Sequence, residues 1–595
     1  MRKVCIVGIG HTPFGSLSHM DLVDLMALAS IKALEDAGAV EKRREIVDQV
    51  FVANMGSGRV NAQSAIASSL VSRIGLESCM AEAVENGPAS GASAVRLGFM
   101  AIQSGMADAV LVTGGEMMNA VSRWVGVDFV ATMLHHEAEY DYGMTLPSLA
   151  ALFTRMYMHR YGVTGRELAM VAVKNHENAS KNPYAHLKNR CTLEAIYDGE
   201  NAHTVNPFIA DPLRLYDICP VSDGAASLLL CAEDSPKMRV FEKEAIYISG
   251  IASATDTHCV HMRKNPLILG AVRLAARRAY AMAGLGPRDI SFAELHDAFA
   301  ILELAISEEV GFFRRGHARE ALEQGKTRID GSLPINTSGG LKAKGHPLGA
   351  TGVSQVYELV KQLRGAAEPD RQVQSPKHGM AVNFGGFGNN IVVTICSRAE
   401  YMKSSGLVPP QSMEDMKAAE GEPDTDDEND ETGELDEGGA RAENGGGSVL
   451  SFSFERYGAQ KRKIFALQCP KCGKLFYPGV MVCDFCHTCR NPLSLTDVEW
   501  EQVALEGPCT LLSWTRVYTL PEGFVRKHVD FCIVEFPNGL RASGQLEAEN
   551  PEIGMQLMTR VDVVREQVNK DHYGFIFESP KSGEEGEVPA GTEKE

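Results

Sequence analysis

The stretch that most limits what this chain can fold into is Asn336-Thr337-Ser338-Gly339-Gly340-Leu341-Lys342-Ala343-Lys344-Gly345-His346-Pro347-Leu348-Gly349-Ala350-Thr351-Gly352. Glycine has no Cβ, so a loop this rich in it lets backbone come close to a ligand. Pro347 stiffens the turn just after the imidazole. A second histidine lies in Glu294-Leu295-His296-Asp297-Ala298-Phe299, and a second glycine loop in Asn383-Phe384-Gly385-Gly386-Phe387-Gly388. Alone, the first loop reads as a phosphate cradle, but it lacks the Gly-Lys-Ser/Thr ending of a P-loop. Three such stretches within about ninety residues point to one site.

Together these loops resemble the thiolase superfamily, in particular its branch with a His-Asp-x-Phe motif. The resemblance covers residues 1–398 and implies an α/β fold, two halves stacked as αβαβα layers with a loop domain at about 123–215. Strand and helix signals alternate as such a fold requires. Val4–Ile9, Gln49–Val52 and Ala109–Thr113 read as strands, and Leu22–Ala37 as a helix. The second half repeats the order with strand Ala245–Ile251, helix Leu267–Ala283, strand Phe292–His296, helix Phe299–Val310 and strand Ile391–Ile395.

By the same resemblance His296 and His346 are the catalytic pair, aimed at a thioester carbonyl oxygen as it becomes an enolate. Ser222, Ser338, Gly339, Gly340, Asn383, Gly385 and Gly386 would bind the substrate, a coenzyme A thioester. The family's nucleophilic cysteine sits at a helix start, where the dipole lowers a thiol's pKa. Here that position holds Pro88, read as the first residue of a helix running to about Ser104. The family's other reactive cysteine positions hold Ala298 and Asn383. Ser90 has a hydroxyl but nothing adjacent in sequence to activate it, and Cys79 lies outside the helix.

Enolate stabilisation without an acyl-enzyme suffices for aldol or retro-aldol chemistry on a 3-hydroxyacyl-CoA, given a base for the β-hydroxyl proton. Glu116, Tyr140, Asp141, Tyr142 and Asp297 are candidates by location. Two other readings stay open. One is an acyltransferase of the thiolase kind with a non-standard or partner-supplied nucleophile; the other is a non-catalytic CoA-ester-binding subunit that scaffolds an active paralogue. The resemblance also implies a homodimer or tetramer through residues 1–398.

Charge divides the rest of the chain. Residues 408–449 hold fourteen acids against Lys417 and Arg441, so −12 of the net −19 lies there. The segment 399–450 reads as an acidic disordered linker. The remainder carries too little charge of either sign to suggest a nucleic acid partner. No apolar run reaches the roughly 18 residues of a membrane span, and the start Met1–Gly10 lacks a cleavage site. A cytoplasmic location with reduced core cysteines is the expectation.

After the linker, Cys469-Pro470-Lys471-Cys472 and Cys483-Asp484-Phe485-Cys486 supply four thiolates for one structural zinc. Cys489 is an alternative ligand. Cys483 to His487 also spells a haem attachment motif, but the upstream pair favours zinc. Residues 451–495 thus read as a zinc ribbon with a preceding helix. The β-rich runs Thr510–Tyr518, Val529–Phe536, Leu540–Leu546 and Thr559–Gln567 suggest a small barrel over 496–580, and 581–595 reads as a disordered tail. Ribbon plus barrel resembles the DUF35 family of zinc-ribbon and OB-fold proteins that accompany thiolase-like enzymes. No basic stripe with interleaved aromatics supports nucleic acid binding by that barrel.

Overall fold

The computed structural model describes residues 2–402 except 18, and 463–580 except 481, 489, 491–499, 521–523, 525–526 and 568–569. The linker from residue 403 on, the helix expected before the ribbon, Cys489 and the tail lie outside the described residues.

Nine strands form one mixed sheet. Their order is Met80–Val84, Gln49–Ala53, Ala109–Glu116, Gly224–Ala232, Val4–His11, Ile246–Thr255, Asn390–Ser397, His378–Gly385 and Phe292–Glu294. The two halves meet through a short pairing, Cys5 with Tyr247 and Ile6 with Ile246. Ala109–Glu116 and Gly224–Ala232 are buried along their whole length, as strands covered on both faces must be. Helix Leu22–Asp36 packs on the first half and Gly270–Ala283 on the second, while Ser90–Gln103 and Leu348–Leu363 pack against each other and against strands of both halves. This is the αβαβα layering.

The two central helices cross at glycines. A Cβ on Gly91 would lie 2.8 Å from Gly352 N, and one on Gly352 only 2.2 Å from Ala92 N. Backbone therefore meets backbone, which fixes where both helix starts sit. Leu348–Leu363 is buried on nearly every face, the mark of a helix enclosed by other layers. The first central helix begins at Ser90, not at Pro88. Pro88 lies in the turn before it, which Ser90 closes by accepting from Asn86 N at 2.8 Å and donating to Gly87 O at 2.5 Å.

Five strands of the C-terminal region close into a barrel: Pro508–Val517, Val529–Glu535, Arg541–Glu547, Lys570–Glu578 and Gln556–Gln567, the last pairing back to the first. Phe208–Ala210 and Leu213–Arg214 of the loop region extend this sheet through Ala210 opposite Val517. The seam is reinforced by side chains. Arg155 stacks 3.9 Å over the Trp514 ring and donates to Trp514 O at 2.6 Å, and Arg565, 1% exposed, pairs with Asp128 at 2.9 Å. Barrel and α/β layers thus form one compact unit.

The segment 406–505 is a separate unit. Its described part is a three-stranded sheet, Leu475–Phe476, Phe465–Gln468 and Glu501–Ala504, over a small core of Leu467, Phe476 and Trp500 with the cysteines. The ribbon's sheet therefore extends to residue 504, beyond 495.

Candidate active site

A cavity of about 900 Å³ opens where the central helices start. His296, His346, Pro88, Ala298 and Gly386 line it, together with Phe384 and Phe387. The two imidazoles stand edge to face, 4.8 Å between centroids at 89°. Each is held from behind. Phe384 N–H and Asn383 Nδ2 approach His296 Nδ1 at 3.4 and 3.3 Å. A backbone N–H can only donate, so Nδ1 accepts and the proton of the neutral ring sits on Nε2.

His346 has the opposite arrangement. Its Nδ1 lies 2.7 Å from Thr351 Oγ1, which itself donates to Pro347 O at 2.8 Å. The one hydroxyl proton is used there, so Nδ1–H donates to Thr351 and Nε2 keeps a lone pair. Burial holds the His346 pKa down, to about 3, and burial plus the neighbouring ring holds His296 well below its usual range. Both rings are neutral at physiological pH. One offers an N–H and the other an unprotonated lone pair.

The remaining residues expected at the site take three kinds of place. Gly386, with φ +58°, lines the cavity itself. Asn383 supports His296 and also accepts from Ala92 N at 3.3 Å. Gly385 packs behind the helix turn, where a Cβ would sit 3.0 Å from Ala89 Cβ. Ser222, Ser338, Gly339 and Gly340 are not among the lining residues. Ser222 Oγ meets His186 Nδ1 at 2.9 Å, and Ser338 is bound to buried Glu294 through N at 3.0 Å. A Cβ on Gly340 would collide with Asp297.

None of the five residues considered as bases lines the cavity. Tyr140 donates to Asp128, and Asp141 pairs with His572 of the barrel at 3.1 Å. Tyr142 is buried against Gly574. Glu116 accepts from Met55 N, Gly56 N and Gly349 N, tying the loops together. Asp297 accepts from Leu341 N at 2.6 Å and Asn175 Nδ2 at 2.7 Å. Both carboxyls are raised to about 7, burial being the main cause.

The cavity also gathers residues from several distant parts of the chain. Lys342, Tyr216, Cys219 and His176 line it, as do Arg123 and Thr519, joined by a 2.9 Å hydrogen bond across 396 positions. Burial pushes the Cys219 thiol up to about 12, so it is no thiolate. No Asp or Glu is among the lining residues.

In the ribbon, the sulfurs of Cys469, Cys472, Cys483 and Cys486 lie within 4.8 Å of one another. Cys469 to Cys486 and Cys472 to Cys483 are each 3.5 Å apart. That is too long for a disulfide of about 2.05 Å. It is close to the edge of a tetrahedron with about 2.3 Å zinc–sulfur bonds. The donor set fits zinc. Glu139, Cys259 and His261, all buried, form a second group of ligating side chains within the same spacing.

Comparison with known proteins places this geometry in context. Residues 4–234 match the family model described as the thiolase N-terminal domain, and 252–398 that of the thiolase C-terminal domain-like family. An acetyl-CoA acetyltransferase of Methanothermobacter thermautotrophicus is 41% identical over 401 residues, 67% of this chain and 100% of that protein. Among solved structures, the Ltp2-ChsH2(DUF35) aldolase aligns with a TM-score of 0.56 at 26% identity, over 67% of this chain and 98% of its own. A monomeric SCP2-thiolase like protein type 1 from Mycobacterium smegmatis shares the fold over 97% of this chain and 99% of its own, with a TM-score of 0.64 at 16% identity.

Proposed function

Because the chain belongs to the thiolase superfamily and acts within its CoA-thioester chemistry, we propose that it makes or breaks a carbon–carbon bond by an aldol or retro-aldol reaction, with no acyl-cysteine. The observation that carries this reading is the opposite polarity of His296 and His346 beside a proline. In the cleavage direction a 3-hydroxyacyl-CoA lies with its thioester oxygen at His296 Nε2–H. His346 Nε2 takes the β-hydroxyl proton, the Cα–Cβ bond breaks, and a carbonyl forms at Cβ. The bonding pair passes into the thioester enolate, which His296 stabilises, and Cα is then reprotonated. A single hydrogen-bond donor to such an oxyanion is typically worth about 10²–10³ in rate.

Pro88 offers no sulfur, Ser90 has its hydroxyl bound in the turn, and Cys219 is held protonated. Acyl transfer by a nucleophile of this chain therefore has no activated group on the cavity. The similar Ltp2-ChsH2(DUF35) structure is an aldolase, which supports the reading. Arg123 and Lys188 on the lining would meet the phosphates of CoA, and the ribbon thiolates would hold a structural zinc. The outermost strand Met80–Val84, largely exposed, is where a second copy would add to make a homodimer.

The test is mass spectrometry of the protein with a panel of 3-hydroxyacyl- and 3-oxoacyl-CoAs. Release of a shorter acyl-CoA and a carbonyl compound from the hydroxy esters, with unmodified protein, is the expected result. An acylated protein would favour the acyltransferase instead. Tight binding of the esters with no turnover would identify a binding subunit.

A further inference from the structure

Lysine is seldom buried without a counter-charge, because desolvating an ammonium is costly. Lys174 shows how this fold meets that cost: its Nζ lies 3.0 Å from Glu303 and donates to Asn175 Oδ1 and Ile335 O. Lys344 lies in the field of Glu294 and Glu358, away from the cavity. Lys342 is different. It is 2% exposed, yet it is one of the residues that line the cavity. Among the described residues its Nζ has no hydrogen bond or ion pair, and the face of Tyr216 lies at 5.8 Å.

Burial lowers the Lys342 pKa, and the nearby acids offset this only through their field, without a direct contact. Asp217 and Asp297 are both raised to about 7, mainly by burial, and neither reaches Lys342 as an ion pair. Cys219 remains a thiol. The position of Lys342 is nonetheless fixed. Its turn, Gly340–Lys344, is held to Asp297, the residue after His296, through Leu341 N. Cys219 N donates to Ala298 O at 2.9 Å and anchors the facing segment to the same motif. The ammonium is thus built into the wall that carries the catalytic histidines, whereas Arg123 and Lys188 are exposed.

We infer that Lys342 is the anchor for a carboxylate on the acyl group, so that the substrate is an acidic, carboxyl-bearing acyl-CoA and not a plain aliphatic one. This rests on the reading of the cavity as the CoA-ester site. An incoming carboxylate would give Lys342 the counter-ion the protein does not provide, in a place where water is largely excluded and the pairing is correspondingly stronger. A plain acyl chain would leave the ammonium buried and unpaired, which works against it. Selection would come as much from that penalty as from the new bond.

The experiment is equilibrium binding to the full-length protein of matched pairs: succinyl-, glutaryl- and adipoyl-CoA against butyryl-, valeryl- and hexanoyl-CoA. At least one carboxylated ester should bind roughly 10-fold or more tightly than its aliphatic partner. In Lys342→Met that preference should vanish while affinity for the aliphatic ester holds or improves, which also shows that the variant is folded. Lys342→Arg should keep part of the preference. Equal affinities in the native protein, or a preference that survives in Lys342→Met, would overturn the inference. So would Lys342→Met lowering turnover with the affinity ratio unchanged, which would make Lys342 part of the chemistry. Failure of every ester and of free CoA to bind would instead remove the CoA-ester reading itself.

Discussion

His296 and His346 face each other at 4.8 Å as a donor and an acceptor, because backbone fixes one tautomer and a threonine hydroxyl the other. The pair can therefore give a hydrogen bond to a forming oxyanion and accept a proton from a neighbouring hydroxyl without changing places.

If the roles divide this way, the two histidines fail differently. His296→Ala should lower kcat by roughly 10²–10³ across the pH range, since an oxyanion donor is lost. His346→Ala should lower kcat by a similar factor at neutral pH but regain rate as pH rises, because hydroxide can replace a missing base. KM should change little in either. Parallel pH–rate profiles for the two variants would count against the division.

The buried rings also leave a mark on stability. The His346 pKa falls from an ordinary value near 6.5 to about 3 on folding. Its contribution is thus present above pH 6.5 and is lost as pH falls toward 3. The slope is about 1.4 kcal/mol per pH unit within that window. His346→Gln removes that titration. The melting temperature of the native protein should fall toward that of the variant, or below it, between pH 6.5 and 4.5. A difference independent of pH would show that the ring is not held neutral.

Pro88→Cys puts a thiol on the cavity lining, in the turn before the central helix. The substitution should be mild in stability, within about 1 kcal/mol, because Pro88 lies in the turn and not in the helix. Incubation with an acyl-CoA should give an acyl adduct in this variant alone, read by intact mass. An equal adduct on the native chain would contradict the site described above.

The ribbon sulfurs predict one zinc per chain by elemental analysis. Cys472→Ser should lose that zinc and loosen residues 463–505, because so small a core does not support itself without metal. Iron in place of zinc would be the wrong outcome.

Asp128→Asn should weaken the seam between barrel and α/β layers. It strips a buried guanidinium, Arg565, of a carboxylate partner and costs about 3–5 kcal/mol. Faster proteolysis of the barrel, followed by electrophoresis, would report it. Unchanged protection would place the strength of the seam elsewhere, at Arg155 and Trp514.

Much of this site was legible in the sequence because its parts are local. His346 and the glycines that shape its loop lie within a few residues of one another, and the His-Asp-x-Phe stretch carries its own signature. The bases were not legible. Tyr140, Asp141 and Tyr142 sit in the loop region expected to cover the cavity, but they turn to the barrel, a contact made with residues such as His572 more than four hundred positions away. Lys342 was inside the first motif all along, yet only the fold shows that it lines the cavity while Lys344, two residues on, does not. The barrel strand Lys570–Glu578 was missed because it opens on Lys-Asp-His and contains Gly574, which dilute its alternation.

Ala210 opposite Val517 makes the barrel a continuation of the loop region's own strand pair, and Thr519 just beyond it reaches the cavity. Because both belong to one polypeptide, their association is first order. Dilution cannot separate them, and every copy of the site comes with its own barrel in a ratio of one to one. A substitution that weakens the seam would therefore not appear as a concentration-dependent loss of activity. It would appear as a change independent of protein concentration, at the part of the cavity that Thr519 lines.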